Sequence, residues 1–340
     1  MRISRAAFLM ALCGMGGLGG LALLATPAAA QQPTPPASST ITVGAWPQKP
    51  VTVLVPSPAG SPSDAVARVL SERMQAAFKQ PIVVDNRAGA NGSLGAAEVA
   101  RAAPDGQTWM FSTDSVWTIN PYVYKHQSYK PEQLEPVMVA TRFGQLLVCN
   151  PKTGVKTLAE FLDMAREAKV NYASGGVGSP GHMAMAMLIA ATGVDMTHVP
   201  YKGPAGAMND VLAGEVPCGF LARSTVLPFV KRGQLTAIAM SSAQRSPAMP
   251  DVPTVAESGF PGYDATFSLA LFAPRGTPPA VVKAFTGEMR KALEQPEVVE
   301  KLRLLDLEVV GTSPAEAATM LAETARRWQA VARKINLQLE

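Results

Sequence analysis

The chain has 340 residues, 47% of them apolar and 16% charged, with a formal net charge of +4. High hydrophobicity with few charges excludes an intrinsically disordered chain, and three cysteines are too few for a disulfide scaffold. So small a net charge, with no Lys/Arg block, leaves no electrostatic footprint for nucleic acid. The length suits one large domain or two smaller ones.

The N-terminus reads as a targeting segment. Met1, Arg2 and Arg5 precede an uncharged apolar stretch from Ala6 to Leu24, and Ala28-Ala29-Ala30 supplies small residues for cleavage. This predicts a secretory signal peptide over residues 1–30 and a periplasmic mature protein. Cys13 sits inside the apolar stretch behind Leu12, which argues against lipidation. Arg2 and Arg5 are not adjacent, which argues against twin-arginine export. Residues 31–45 open Pro/Ser/Thr-rich and are expected to be a flexible mature N-terminus. Cys149 and Cys218 are then the remaining cysteines. They are expected as separately buried thiols, with a disulfide as the alternative that export allows.

Strands and helices then alternate. The β-branched run at residues 51–55 predicts a buried strand. A helix follows to about Phe78, a strand at 82–84, an Ala-rich helix over 92–102 and a strand at 108–112. Strands are expected at 137–140 and 146–149, a helix at 158–168 and a strand at 170–173. A Gly-rich loop leads to a helix over about 181–191. Strands at 197–199, 216–221 and 236–240 follow, with a helix near 207–212 between the first two. A strand at 270–273 and helices near 280–293 and 315–335 close the chain. This alternation predicts an α/β protein with parallel-rich sheets covered by helices. Two lobes are expected: residues 46–148 with 267–340, and residues 149–266, with crossings near 149–150 and 266–272.

One local pattern occurs twice. A strand leads to Ala59-Gly60-Ser61-Pro62-Ser63-Asp64, and another to Val177-Gly178-Ser179-Pro180-Gly181-His182. Each is a glycine turn with Ser at the helix N-cap and Pro at the first helical position. At their plainest these are two well-capped helices. Read functionally, each helix N-terminus offers free N–H groups to an anion, at the carboxyl end of a strand where ligands bind.

Other motifs are weaker. Gly176-Val-Gly178-Ser-Pro-Gly181 matches a dinucleotide fingerprint, but Asp195 precedes the next strand instead of following it. Ser93 and Ser174 lack the glycine frame of a nucleophile elbow. His126, His182 and His198 lack helical ligand spacing, and Met183 and Met187 beside His182 read as core. No nucleophile–base pair or metal cluster is visible, so binding without catalysis, cofactor or metal is expected.

The segment Arg245-Ser-Pro-Ala-Met-Pro-Asp251-Val-Pro-Thr254-Val-Ala-Glu257-Ser-Gly259-Phe-Pro-Gly-Tyr263 carries a family resemblance. So do His198-Val-Pro-Tyr201-Lys-Gly203, Pro104-Asp-Gly106, Asn86-Arg-Ala-Gly89-Ala-Asn91-Gly92 and Ala273-Pro-Arg-Gly276-Thr-Pro278. Over nearly its full mature length the chain resembles the Bug/TctC-type extracytoplasmic receptors of tripartite tricarboxylate transporters. The resemblance implies a type II periplasmic-binding-protein fold whose two lobes close on a small carboxylate. It further implies integral-membrane transporter subunits as partners, and a monomer is expected. Family loops matching residues 56–64 and 174–182 hold the carboxylate through backbone groups, hydroxyls and waters. Ser57 stands where the family usually has an aromatic or large residue, and Ser61 where it usually has Gly.

The candidate ligand-binding residues are therefore Ser57, Ala59, Ser61, Ser63, Asp64, Thr113, Ser174, Gly176, Gly178, Ser179, His182, Asp210 and Arg223. The expected roles are anion donors for the serines, an acceptor for a ligand amine for Asp210, and a bidentate partner of a second carboxylate for Arg223. A bulky residue at Gly178 is expected to occupy the anion position. A sensor for a signalling partner and an exported enzyme using the same cleft are the alternative functions.

Overall fold

The computed structural model describes residues 46–337. The readings of residues 1–30 as a signal peptide and of 31–45 as a flexible segment lie outside these residues. The chain runs β1 (Val51–Val55), α1 (Pro62–Phe78), β2 (Ile82–Asn86), α2 (Ser93–Ala100), β3 (Thr108–Thr113), the short α3 (Ser115–Thr118) and α4 (Asn120–Val123), and β4 (Leu134–Phe143). It continues through β5 (Gln145–Cys149), α5 (Leu158–Glu167), β6 (Val170–Ser174), α6 (Pro180–Thr192), β7 (Met196–Pro200), α7 (Pro204–Ala213), β8 (Cys218–Ala222), α8 (Arg223–Lys231) and β9 (Thr236–Met240). It ends with β10 (Phe267–Pro274), α9 (Pro279–Leu293), α10 (Pro296–Leu304), β11 (Glu308–Val309) and α11 (Pro314–Lys334).

The strands form a six-stranded sheet, β11-β4-β10-β3-β1-β2, and a five-stranded sheet, β7-β6-β8-β5-β9. Both are buried on both faces, which is why their strands read as apolar runs. Val53 and Val55 enter one core with Trp109, Phe111 and Phe285, while Leu54 enters another with Met110 and Phe272. Trp109 stacks on Phe285 with ring centres 4.3 Å apart. In the second sheet Leu147 and Phe220 face one core, and Leu146 and Leu221 the other. That alternation is the two-residue period of a strand. Trp328 and Ala332 of α11 also pack into the core around Phe220.

Register places the functional edge. In the first sheet β1 runs parallel to β2 and β3, while β10 runs antiparallel to β3 and β4, and β11 antiparallel to β4. The ends of β1, β2, β3 and β4 and the starts of β10 and β11 therefore share one edge. In the second sheet the same argument gathers the ends of β6, β7, β8 and β9 and the start of β5.

Several expectations need correction. β5 pairs with β8 and β9, so the passage between sheets falls at Gly144, before the crossing expected near residues 149–150. Both strands are expected from sequence, but only the sheet pairing shows that the chain changes sheets between them. Helix α8 has no counterpart among the expected elements; it opens without a side-chain cap and carries Pro228 inside. Helix α10 and strand β11 likewise have no expected counterpart; β11 is two residues long, too short for a periodic signal.

Cys149 and Cys218 are joined in a disulfide, not held as separate thiols. They are directly opposed partners on β5 and β8. The bridge closes a loop of 69 positions whose ends are invisible to each other in sequence.

Candidate functional site

The two repeated loops form as read, and they are near copies. Ser61 caps α1 at φ −68°, ψ 159°, and Ser179 caps α6 at φ −65°, ψ 160°. Each follows a left-handed glycine, Gly60 at φ 80° and Gly178 at φ 70°, a conformation that glycine adopts without steric cost. The Ser61 hydroxyl accepts from the Asp64 amide at 3.3 Å, and the Ser179 hydroxyl from the His182 amide at 3.4 Å. Pro62 and Pro180 bring no N–H. The amides left over are those of Ser63 and Gly181, which donate to nothing among the described residues.

Both loops line one cleft of about 590 Å³ between the two sheets. Ser57, Ser61, Pro62, Ser63 and Thr113 come from the first sheet's edge. Gly176, Ser179, Pro180, Gly181 and Arg223 come from the second's. Phe143, Phe220, Leu221, Leu269, Leu305 and Leu307 supply apolar wall. The Ser57 hydroxyl lies 2.7 Å from those of Ser61 and Ser63, which are 3.2 Å apart. Such hydroxyls rotate, so an anion placed over them can recruit their protons without moving a heavy atom.

The remaining candidates support the loops and do not line the cleft. Ala59 is exposed beside it. Asp64 is buried and accepts from the Gly60 amide at 2.8 Å, from Arg68 and from Asn86. Burial works to raise its pKa, but these bonds and the Arg68 charge outweigh it and hold the carboxyl below its usual range. Its bonds tie the Gly60 turn to Arg68 and Asn86. Asp210 accepts from the hydroxyl of Tyr201, a cleft-lining residue.

His182 Nδ1 accepts from the Gly178 amide at 3.0 Å, and its ring stacks on His198 at 4.0 Å. Ser174 is fully buried, and its hydroxyl lies 2.7 Å from His198 Nε2 and 3.3 Å from the Ser179 hydroxyl. The structure thus does bring together a serine–histidine pair that the sequence hid, since the partners are 24 positions apart on neighbouring strands. Its hydroxyl has no exposure to a substrate, so the pair props the Ser179 loop from behind.

Gly178 also departs from expectation. A side chain there would meet Asn91 Nδ2 at 2.9 Å and Tyr124 Oη at 3.1 Å, not open ligand space. Asn91 donates to the Gly178 carbonyl at 2.9 Å and Tyr124 to the Val177 carbonyl at 3.0 Å. These side chains clasp the loop from across the cleft. Asn91 is left-handed (φ 48°), as is its non-glycine neighbour Ala90 (φ 45°), and such strain concentrates at functional loops. Asn91, Tyr124, Tyr201 and Asp306 were not among the candidates. Asn91 lay within a quoted motif; Asp306 had no sequence signal.

Arg223 lines the cleft but is already paired. It is buried against Asp306 in an ion pair, and it donates further to the Asp306 carbonyl at 3.3 Å. Thr113, the last residue of β3, lines the cleft, whereas Asp114 just after it is fully buried, and burial pushes its pKa up to about 7.

Burial lowers the pKa of His182 to about 3, with help from His198, and that of His198 to about 4. Below pH 6.5 the unfolded chain takes up protons that the folded rings refuse, so stability falls from there toward pH 4 and pH 3. Asp114 opposes this, contributing stability that declines as pH rises from 3.8 to about 7. Two histidines against one carboxyl leave a net loss on acidification. His182→Asn keeps an acceptor for the Gly178 amide and removes one titration. Its melting temperature is expected to fall less steeply than wild type between pH 6.5 and 4.5; an identical slope rejects the assignment.

Two helix-covered sheets, with twin capped helices meeting in the cleft between them, define a two-lobed periplasmic-binding-protein-like fold of type II. The comparisons agree. Residues 66–337 match the family model described as tripartite tricarboxylate transporter family receptor. The fold superposes on R. palustris Rpa4515 with adipate at a TM-score of 0.81 and 31% identity, covering 86% of this chain and 99% of that one. It matches the periplasmic binding protein BugD at a TM-score of 0.79 and 29% identity, over 87% and 100%. It matches MatC of Rhodopseudomonas palustris with bound malate at a TM-score of 0.77 and 31% identity, over 84% and 99%. The chain belongs to the tripartite tricarboxylate transporter receptor family.

Proposed function

We propose that this protein captures a small carboxylate between its lobes in the periplasm and delivers it to the membrane subunits of a tripartite transporter. The observation that carries the reading is the pair of unengaged helix N-terminal amides, Ser63 and Gly181, set among serine hydroxyls in one cleft. Amides and hydroxyls at two helix N-termini suit an anion. The adipate and malate in related structures support a carboxylate as that anion. In this reading the hydroxyls of Ser57, Ser61, Ser63 and Ser179 and the free amides of Ser63 and Gly181 are donors. Residues 46–144 with 267–337 make one lobe and residues 145–266 the other. The protein acts as a monomer without cofactor or turnover. Export on the residue 1–30 signal is supported by the Cys149–Cys218 disulfide, a bond favoured in oxidising compartments.

A thermal-shift screen of mono- and dicarboxylates tests the reading, because a ligand of the folded state raises the melting temperature. Calorimetric titration of Ser179→Ala sharpens it. A hydrogen bond to a charged group is worth about 1.5–3 kcal/mol, so affinity is expected to drop by roughly tenfold to a hundredfold. If Ser179 were only a cap, the variant would lose about 0.5–2 kcal/mol of stability and keep its affinity.

A further inference from the structure

We propose that the cleft selects monocarboxylates with an apolar body and rejects a second carboxylate, because Asp306 already occupies the buried cation that would receive one. The inference rests on the carboxylate reading above and names the ligand class for that site.

The charged side chains lining the cleft are Lys202, Arg223 and Asp306. Lys202 is exposed, and an ion pair in water adds little affinity. Arg223 is the one buried cation in the wall, 8% exposed. Its contacts point it away from the serine loops. From the end of β8 it reaches the Met240 sulfur at the end of β9, at 3.6 Å, whereas β6 and Ser179 lie on β8's other side. There its guanidinium meets the Asp306 carboxylate and donates to the Asp306 carbonyl at 3.3 Å. The other Asp306 oxygen accepts from the Ser246 hydroxyl at 2.6 Å. Asp306 is itself in a left-handed turn, φ 56°, just before β11. That turn stands four strands from β1 in the first sheet, about 19 Å across at the usual strand spacing.

The pair is therefore neutral, held by charge at Arg223 Nε and Asp306 Oδ2, which form no aligned hydrogen bond, and by the Asp306 carbonyl. A ligand carboxylate that drew Arg223 away from Asp306 would leave that charge buried without its partner, which is strongly unfavourable. The wall around the pair is apolar, with Phe143, Leu269, Leu305 and Leu307. It suits a hydrocarbon or ring, held at its single carboxylate by the serine loops. The adipate and malate seen in relatives each carry two carboxylates.

The test compares ligands that differ only in the second carboxylate: hexanoate with adipate, and benzoate with terephthalate, each titrated calorimetrically into the mature protein. The monocarboxylate of a matched pair is expected to bind at least tenfold tighter. Asp306→Asn releases Arg223 and is expected to bring the dicarboxylate level with or below its partner in Kd. A dicarboxylate that binds wild type as tightly as its matched monocarboxylate overturns the proposal. So does an unchanged ratio in an Asp306→Asn protein whose melting curve is cooperative; if that variant does not fold, the wild-type ratios decide alone. Failure of all four acids to bind also overturns it. The carboxylate screen then separates the two claims: another carboxylate that binds leaves the receptor reading standing, and none at all removes both.

Discussion

Gly181→Ala is expected to destabilise the protein by at least the ~1–3 kcal/mol usual for overpacking and to weaken carboxylate binding more than Ser179→Ala does. A methyl at Gly181 would stand 2.1 Å from the Phe220 carbonyl oxygen of β8 and 3.2 Å from its carbon. Both are backbone atoms, so no rotamer change relieves the clash. The first turn of α6 must lift off β8, carrying the Gly181 amide and Ser179 hydroxyl with it. Gly287→Ala in α9 is the matched control, because nothing lies within 4 Å of its added methyl. Helix propensity alone then stabilises it by roughly 0.5–1 kcal/mol. Melting curves and titrations of both variants check the contrast. A Gly181→Ala protein with wild-type stability and affinity would show that α6 is not held against β8 as described.

Cys149→Ala/Cys218→Ala is expected to cost about 4 kcal/mol of stability, from freeing a loop of 69 positions in the unfolded chain, and to leave ligand affinity unchanged. The two consequences separate because of where the bridge lies. Cys149 ends β5 and Cys218 begins β8, so the disulfide sits at the sheet edge opposite the cleft. Four residues of strand, about 13 Å, separate Cys149 from cleft-lining Gln145. Denaturant melts with and without reductant measure the first effect, and calorimetry the second. A loss of affinity that matches the loss of stability would place the bridge in control of the loops.

The twin loops were legible because every part of them is local. A glycine needing positive φ, a capping serine and a proline without N–H specify a helix start within four residues, as Gly60-Ser61-Pro62 and Gly178-Ser179-Pro180 both do. The strands were legible for a related reason. Sheets buried on both faces demand apolar runs such as residues 51–55 and 236–240, whatever they pair with.

The sequence by itself thus determined the α/β elements, their capped helix starts, and the family through its quoted motifs. What it could not determine is which groups remain free once the chain has folded. Asp64, His182, Asp210 and Arg223 are residue types that serve ligands, and each is spent on a protein partner: Asn86 and Arg68, the Gly178 amide, Tyr201, and Asp306. Arg223 and Asp306 are 83 positions apart, and Cys149 and Cys218 are 69 apart. Nothing in local pattern joins such pairs. Strand order and register decide them, because a buried charge or polar group must find whatever partner the tertiary fold brings beside it.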